Sequence, residues 1–199
     1  MAAIARACIA GEINARIRVV ISDVPGVAGL TVARDLGIKA VAVPWQGAGN
    51  REAFERALSA AIEERGADLV VLAGFMRILS PQFAKRYAGR MLNIHPSLLP
   101  KYTGLHTHRR VLEAGDTEHG ASVHFVTAEL DGGPLVLQSK VPVLAGDTEA
   151  TLAERVQITE HVIYPQVIGM VADGRLTWDH GQVRLDGRLL EKPLLETYR

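Results

Sequence analysis

Short apolar runs alternate with helix-like segments along the first half of the chain. Residues 17–21, 40–43 and 69–72 are runs of mostly β-branched and aliphatic side chains, which is typical of buried strands. Between them, residues 30–36 and 51–65 carry apolar side chains at helical spacing, and a glycine follows each segment. This alternation predicts βαβ units and therefore a parallel sheet.

The pattern changes in the second half of the chain. Ser80-Pro81 predicts the start of a helix, because Ser favours the N-cap and Pro favours the first turn. Asp147 or Thr148 can cap a later, long helix. The other predicted elements are a strand at residues 91–95, a helix at 108–114, strands at 121–127 and 135–143, and a hairpin within 176–185.

The two strands on either side of the glycine-rich turn at residues 129–134 are expected to pair antiparallel. No repeat or linker divides the chain. We therefore expect an α/β fold with a single doubly wound, mostly parallel sheet that gains antiparallel strands toward the C-terminus. Residues 1–199 are expected to form one domain.

Composition and charge narrow the range of partners. Lys plus Arg and Asp plus Glu number 22 each, so no net charge attracts nucleic acid or an anionic membrane surface. No apolar run approaches the length of a membrane span. Cys8 is the only cysteine, which excludes an intrachain disulfide and favours the reducing cytoplasm. Small-molecule partners are therefore expected, with neither nucleic acid nor membrane.

Asn93 and His95 form the strongest candidate site. They alternate with Leu92 and Ile94 on a predicted strand, so both polar side chains face the same side, and Pro96 ends the strand. An amide donor beside a titratable imidazole suits the stabilisation of an oxyanion while a proton moves. The alternative is an ordinary core histidine at a strand end, which the Asn-x-His-Pro arrangement disfavours.

Asp131 is a candidate third member of this site. It lies in a turn where Gly132 and Gly133 let the backbone come close to a ligand or to the Asn93 strand end. A carboxylate beside an imidazole stabilises the imidazolium and fixes which nitrogen carries the proton. Taken alone, Asp131 is better explained as an ordinary Asp-Gly turn residue. No Ser or Cys is placed as a nucleophile, so the attacking group is expected to belong to a substrate.

Three stretches of the sequence resemble a known family: Asn93-Ile-His-Pro-Ser-Leu-Leu-Pro-Lys-Tyr102, Gly104-Leu-His106 and Gly120-Ala-Ser-Val-His-Phe-Val-Thr-Ala-Glu-Leu-Asp-Gly-Gly-Pro134. They are similar to the formyltransferases that use 10-formyltetrahydrofolate. The match is best with the members that formylate the amine of glycinamide ribonucleotide in purine synthesis. The resemblance implies a cytoplasmic transferase with folate and this ribonucleotide as substrates, and it leaves a homodimer as a further expectation.

The resemblance also implies a role for each matching residue. Asn93 and His95 would stabilise the tetrahedral intermediate and move the proton, with Asp131 keeping His95 basic and Asn93 also contacting the folate. Arg51 would lie near the carboxylated tail of the folate. The segment expected to hold the pterin ring comprises Met76, Arg77, Ile78 and Leu79, and the segment expected to close over it comprises Thr127, Ala128, Glu129, Leu130 and Asp131. The glycinamide end is expected at Gln157, Ile158, Thr159 and Glu160, with Glu160 holding the ammonium.

Plainer interpretations exist for several of these residues. Met76 and Leu79 are also consistent with core positions, and Arg77 and Glu160 with solvated charges. His106 and His108 have no cysteine or second acid at ligand spacing, so no catalytic metal is expected.

Other functions are also open from the sequence. A hydrolase of 10-formyltetrahydrofolate is expected to carry an extra regulatory domain, and a methionyl-tRNA formyltransferase a basic tRNA-binding domain. Members of the family open with a strand and a glycine-rich phosphate loop, which this sequence does not show before its first helix. The chain is therefore expected to be N-terminally truncated relative to the family. An inactive folate-binding fragment is the third interpretation.

Overall fold

The computed structural model describes residues 1–198, and the chain separates into two compact units, one of residues 1–69 and one that begins at Val70. In the first unit, strands β1 and β2 pair in parallel with Val20 opposite Ala40, as the βαβ pattern predicts. The elements of this unit are α1 (Ala2–Ile9), β1 (Val20–Ser22), α2 (Ala28–Asp35), β2 (Ala40–Ala42) and α3 (Arg51–Glu63).

The second unit carries a five-stranded sheet with the order β10-β6-β5-β4-β3, and a three-stranded sheet with the order β7-β8-β9. Its elements are β3 (Val70–Leu72), α4 (Pro81–Arg86), β4 (Met91–His95), α5 (Thr107–Ala114), β5 (Glu118–Phe125), β6 (Leu135–Pro142), α6 (Glu149–Ala172), β7 (Leu176–Asp179), β8 (Gln182–Leu185), β9 (Arg188–Leu189) and β10 (Leu194–Thr197).

The α/β fold class predicted from the sequence is confirmed. β3 and β4 pair in parallel, whereas β4, β5 and β6 pair antiparallel in succession, which is the predicted change toward the C-terminus. Two details differ from the prediction. The described strands form three separate sheets rather than one, and the tail adds β9 and β10, of which β10 pairs in parallel with β6.

The predicted helix starts are confirmed by their hydrogen bonds. The Ser80 side chain accepts from the backbone N–H of Phe83, with Pro81 in the first turn of α4. Thr148 caps α6 in a reciprocal capping box with Thr151. Because these caps satisfy backbone donors that the helix leaves free, each fixes where its helix begins.

The core is largely aliphatic, and a few aromatic side chains fill each unit. Trp45 packs edge-on against Phe54 in the first unit, with 5.2 Å between ring centroids. Trp178 of β7 packs against Phe125 of β5 in the second unit, at 5.1 Å. β3 was predicted to be a buried strand, but its residues are only half-buried, because in the five-stranded sheet it is an edge strand. Among residues 1–198, no helix combines the length and apolarity that a membrane crossing requires.

Candidate active site

β4 brings Asn93 and His95 to the end of the five-stranded sheet as the alternation predicts. Pro96 follows the last strand residue, and the chain then turns, with the backbone N–H of Ser97 donating to the carbonyl of His95 at 2.8 Å. His95 is buried, while Asn93 is half-buried. A rigid strand end therefore holds both polar groups in fixed positions.

The two ring nitrogens of His95 have different surroundings. Nε2 lies 2.9 Å from the backbone carbonyl oxygen of Tyr102. Because a carbonyl can only accept, Nε2 carries the proton in this arrangement, and Nδ1 of the neutral ring is the basic nitrogen. Nδ1 faces Oδ2 of Asp131 at 3.6 Å, and both side chains are only 8% exposed. A proton taken up at Nδ1 would therefore sit beside a buried carboxylate.

Asp131 reaches His95 from a separate part of the chain. Its Oδ2 accepts a 2.9 Å hydrogen bond from the backbone N–H of Gly104, which is 27 residues away. Its backbone is left-handed, with φ +53°, a conformation that Asp tolerates better than most residues. The carboxylate is therefore used in a long-range contact, and this disfavours the interpretation of Asp131 as an ordinary turn residue.

The two glycines that follow Asp131 pack closely against neighbouring groups of the protein. A side chain at Gly133 would collide with the carbonyl oxygen of Phe125, the last residue of β5, and one at Gly132 would collide with the Glu129 side chain. Gly133 therefore does allow a close backbone approach, to the strand that pairs with the Asn93 strand, and an approach to a ligand stays a prediction. The turn packs against the end of β5, the strand that precedes it. This packing holds Asp131 in the position from which its carboxylate faces His95.

His124 also belongs to the site, although the sequence analysis assigned it no role. It lies opposite Asn93 in the β4–β5 register, and Nδ2 of Asn93 is 3.3 Å from its Nε2. Nδ1 of His124 lies 2.9 Å from the Phe125 carbonyl and therefore carries the proton, which leaves Nε2 to accept from Asn93. Burial lowers the pKa of His124, which favours this neutral form. Its Nε2 is also 3.9 Å from Oδ1 of Asp131.

A sequence signal for His124 existed but was ambiguous. A histidine directly opposite a candidate amide can be found only once the antiparallel partner strand is aligned. β5 is buried along nearly its whole length, so its side-chain pattern does not indicate which face meets the site.

The segments predicted to hold folate expose apolar side chains. Met76 is 73% exposed and Ile78 is 62% exposed, so the core interpretation is wrong for Met76, while Arg77 and Leu79 are half-buried. Leu130 is exposed as well. Exposed apolar side chains close together in sequence are typical of a ligand or partner surface.

The remaining residues predicted to contact folate differ in exposure. In the turn that contains Leu130, Thr127 is half-buried and Ala128 and Glu129 are exposed. Arg51 is the exposed first residue of α3 in the first unit, and its contact with folate stays a prediction.

The four residues predicted to receive the glycinamide end differ in their availability. Gln157 and Ile158 are exposed on α6, and Glu160 is half-buried. Burial raises the pKa of the Glu160 carboxyl. Thr159 is buried, and its hydroxyl lies 2.7 Å from Oγ of Ser139 and donates to the Val156 carbonyl at 2.8 Å. The Thr159 side chain therefore joins α6 to β6, and the contact of this segment with the glycinamide end stays a prediction.

The structure accounts for the remaining nucleophile and metal candidates. The Ser97 hydroxyl is buried and donates to the Lys101 carbonyl at 2.7 Å, while burial raises the pKa of the Cys8 thiol. His108 Nδ1 and His119 Nε2 are 3.0 Å apart, and His106 is exposed. Within residues 1–198, no group of three His, Cys, Asp or Glu side chains has the geometry of a metal site.

A cavity of about 320 Å³ lies beside the segment that follows β4. Its lining residues are Leu98, Lys101, Tyr102, Asp116, Thr117, Glu118 and His119. Tyr102 is shared with the site, because its backbone carbonyl holds His95, but Asn93, His95 and Asp131 are not among the lining residues. Lys101 and Tyr102 both donate to the carboxylate of Asp116, at 2.8 and 2.9 Å, so these three polar groups of the cavity are paired with one another.

An amide, an imidazole and a carboxylate around a strand end suit acyl transfer to an external amine, because they can stabilise an oxyanion and move a proton. Comparison with known proteins agrees: residues 1–168 match the formyl transferase family, and the chain belongs to that family. It is 55% identical to phosphoribosylglycinamide formyltransferase of Escherichia coli over 94% of this chain and 89% of that protein.

Solved structures give the same assignment. The phosphoribosylglycinamide formyltransferase of Coxiella burnetii is similar with a TM-score of 0.91 and 45% identity, covering 97% of this chain and 92% of that one. A formyltetrahydrofolate deformylase from Pseudomonas syringae is also similar, with a TM-score of 0.83 and 27% identity, covering 92% of this chain and 61% of that one.

Proposed function

We propose that this protein transfers the formyl group of 10-formyltetrahydrofolate to the amine of glycinamide ribonucleotide. The observation that carries the proposal is the convergence of Asn93, His95 and Asp131 at the end of β4. The 55% identity to the E. coli phosphoribosylglycinamide formyltransferase supports the same substrate pair. The family model spans residues of both units, so we treat residues 1–199 as one formyltransferase domain.

The chemistry assigned to the site balances without an added cofactor. The lone pair of the ribonucleotide amine attacks the formyl carbon, a C–N bond forms, and the carbonyl oxygen becomes an oxyanion. Asn93 donates to that oxyanion through the Nδ2 hydrogen that His124 does not take. His95 accepts the amine proton at Nδ1 beside Asp131 and returns it to N10 of the folate as the old C–N bond breaks. The products are the formylated ribonucleotide and tetrahydrofolate.

The remaining groups bind the substrates. The exposed Met76, Ile78 and Leu130 offer apolar contact for the pterin, and Arg51 offers a guanidinium for the carboxylated tail. Glu160 would hold the ammonium and accept the proton that it must lose before its lone pair can attack, and burial raises the pKa of this carboxyl. We expect a cytoplasmic enzyme, which agrees with the single free thiol of Cys8, and self-association into a homodimer, measurable by sedimentation.

A hydrolase is the second candidate, because a deformylase shares the fold at 27% identity. The two functions differ in whether turnover needs the amine. The purified chain is mixed with 10-formyltetrahydrofolate, with and without glycinamide ribonucleotide, and formate and formylated ribonucleotide are quantified by mass spectrometry. A transferase forms the formylated ribonucleotide and releases little formate without the amine. Formate release at the same rate in both mixtures would exclude the transferase.

A further inference from the structure

Tyr164 lies inside the second unit and reaches two strands with one hydroxyl group. Its side chain is on α6 and only 3% exposed. The hydroxyl oxygen is 2.8 Å from the carbonyl oxygen of Leu72 and 3.0 Å from that of Leu92. Both partners are acceptors, so the single hydroxyl hydrogen is shared between them. Burial holds the pKa of the phenol well above its usual range, so this hydrogen is present at any ordinary pH.

Each element that meets at this hydroxyl leads into a different part of the site. Leu92 directly precedes Asn93 on β4. Leu72 is the last residue of β3, and the chain continues from it to the segment that contains Met76. In the β3–β4 register, Leu72 is the partner of Asn93 itself. On α6, Glu160 lies one helical turn before Tyr164 and therefore on the same face.

We propose that Tyr164 is a positioning residue that sets the distance between Asn93 and the α6 segment that receives the amine. This inference rests on the proposed function and deepens it. Tyr164 touches neither substrate, since its side chain is buried. It acts by fixing α6 against the β3 and β4 carbonyls. This keeps Glu160, which holds the attacking amine, at a constant distance from Asn93, which stabilises the oxyanion. Misplacement by about 1 Å is enough to cost about 100-fold in rate.

A purely structural role makes a different prediction. Removing the hydroxyl leaves two buried carbonyls with one partner fewer, which lowers the stability of the fold. If that were all, variant molecules that remain folded would turn over normally. A positioning role requires folded molecules with altered kinetics, and in particular a kcat that falls more than folate affinity does.

The matched pair of variants is Tyr164→Phe and Tyr198→Phe. The Tyr198→Phe change also removes a hydroxyl hydrogen bond, which Tyr198 donates to Glu196 at 2.6 Å. Tyr198 follows β10, however, and β10 and β3 are at the two different edges of the five-stranded sheet. Both are assayed for kcat and for KM of each substrate at a temperature where circular dichroism shows them fully folded. We expect Tyr164→Phe to lower kcat about 10-fold or more and to raise KM for the ribonucleotide, with folate KM within about two-fold, consistent with a lost transition-state alignment. Tyr198→Phe should match the parent.

A variant with 4-aminophenylalanine at position 164 restores a donor and is the rescue control. The aminophenylalanine variant should recover most of the kcat that Tyr164→Phe loses. If Tyr164→Phe does not fold, the aminophenylalanine variant is compared directly with the parent protein. A folded Tyr164→Phe with parental kcat and KM would overturn the positioning role, as would an aminophenylalanine variant no better than a folded phenylalanine one. An inactive parent protein would instead remove the proposed function and, with it, this inference.

Discussion

Nδ2 of Asn93 donates to Nε2 of His124 across the β4–β5 pair, at 3.3 Å. The bond has a direction because Nδ1 of His124 is committed to the Phe125 carbonyl. An amide can flip by 180° with little change in shape, so a fixed acceptor on one side decides which end of Asn93 faces the substrate. His124 thus orients the oxyanion donor.

Replacing His124 by Phe should lower kcat about 10-fold or more, because the amide of Asn93 loses its fixed partner and samples both orientations. Steady-state kinetics on the folded variant provide the measurement. His180→Asn is the control, since His180 is exposed in the β7–β8 turn and should leave kcat unchanged. A His124→Phe enzyme with parental kcat would show that the amide is oriented without it.

His95→Asn and Asp131→Asn should each lower kcat by about 10²–10⁴-fold, the usual contribution of a general acid–base group. Folate binding should change little, because the change affects proton movement and charge rather than the contact surface. Single-turnover rates and equilibrium titration with a folate analogue separate the two quantities. The assignment of roles would be contradicted by near-normal turnover in either variant.

The His108–His119 pair should make the fold sensitive to acid. Burial lowers the pKa of His119 from its ordinary 6.5 to about 4, and it lowers that of His108 in the same direction. The unfolded chain therefore binds these protons first, so stability is complete above pH 6.5 and falls as the pH drops toward 4. For His119 alone the loss is about 3 kcal/mol.

Urea unfolding at several pH values between 7 and 4.5 measures this loss. His119→Gln removes the titrating group, so its stability should depend less steeply on pH than that of the parent. A variant with the same slope as the parent would place the acid sensitivity elsewhere.

Gly120 and Gly133 should be intolerant of any side chain. A Cβ at Gly120 would collide with the Ser139 carbonyl, and one at Gly133 with the Phe125 carbonyl, both of them backbone atoms in the sheet. Alanine at either position should cost more than about 2 kcal/mol, because strand backbone must move. Gly29→Ala is the control: it lies in α2 with open space around it and should stabilise by about 0.5–1 kcal/mol. Denaturant midpoints compare the three, and a neutral Gly133→Ala would contradict the close packing.

The sequence predicted those parts of the site that depend on local rules. The alternation of Asn93 and His95 with apolar neighbours and the caps at Ser80 and Thr148 follow from periodicity and hydrogen-bonding chemistry within a few residues. The contact of Asp131 with His95 spans 36 positions, so the turn alone made Asp131 a candidate that was better explained as a turn residue, and the family resemblance was needed to favour it. β10 was missed because a four-residue edge strand is stabilised by pairing with β6 rather than by its own pattern.

The burial of Thr159 shows the same limit at the scale of one side chain. A helix segment at the surface alternates between exposed and buried positions every three to four residues, so four consecutive residues cannot all face a ligand. Predicting which of the four side chains points inward requires the position of the sheet against which α6 packs. Here the Thr159 hydroxyl forms a hydrogen bond with the hydroxyl of Ser139 in β6.

The two tryptophans fall one in each compact unit, Trp45 against Phe54 and Trp178 against Phe125. The chain therefore carries a separate intrinsic fluorophore in each half. In a Trp45→Phe protein, all indole emission would come from the part that holds the catalytic strand, so melting of that part could be followed on its own without any attached dye.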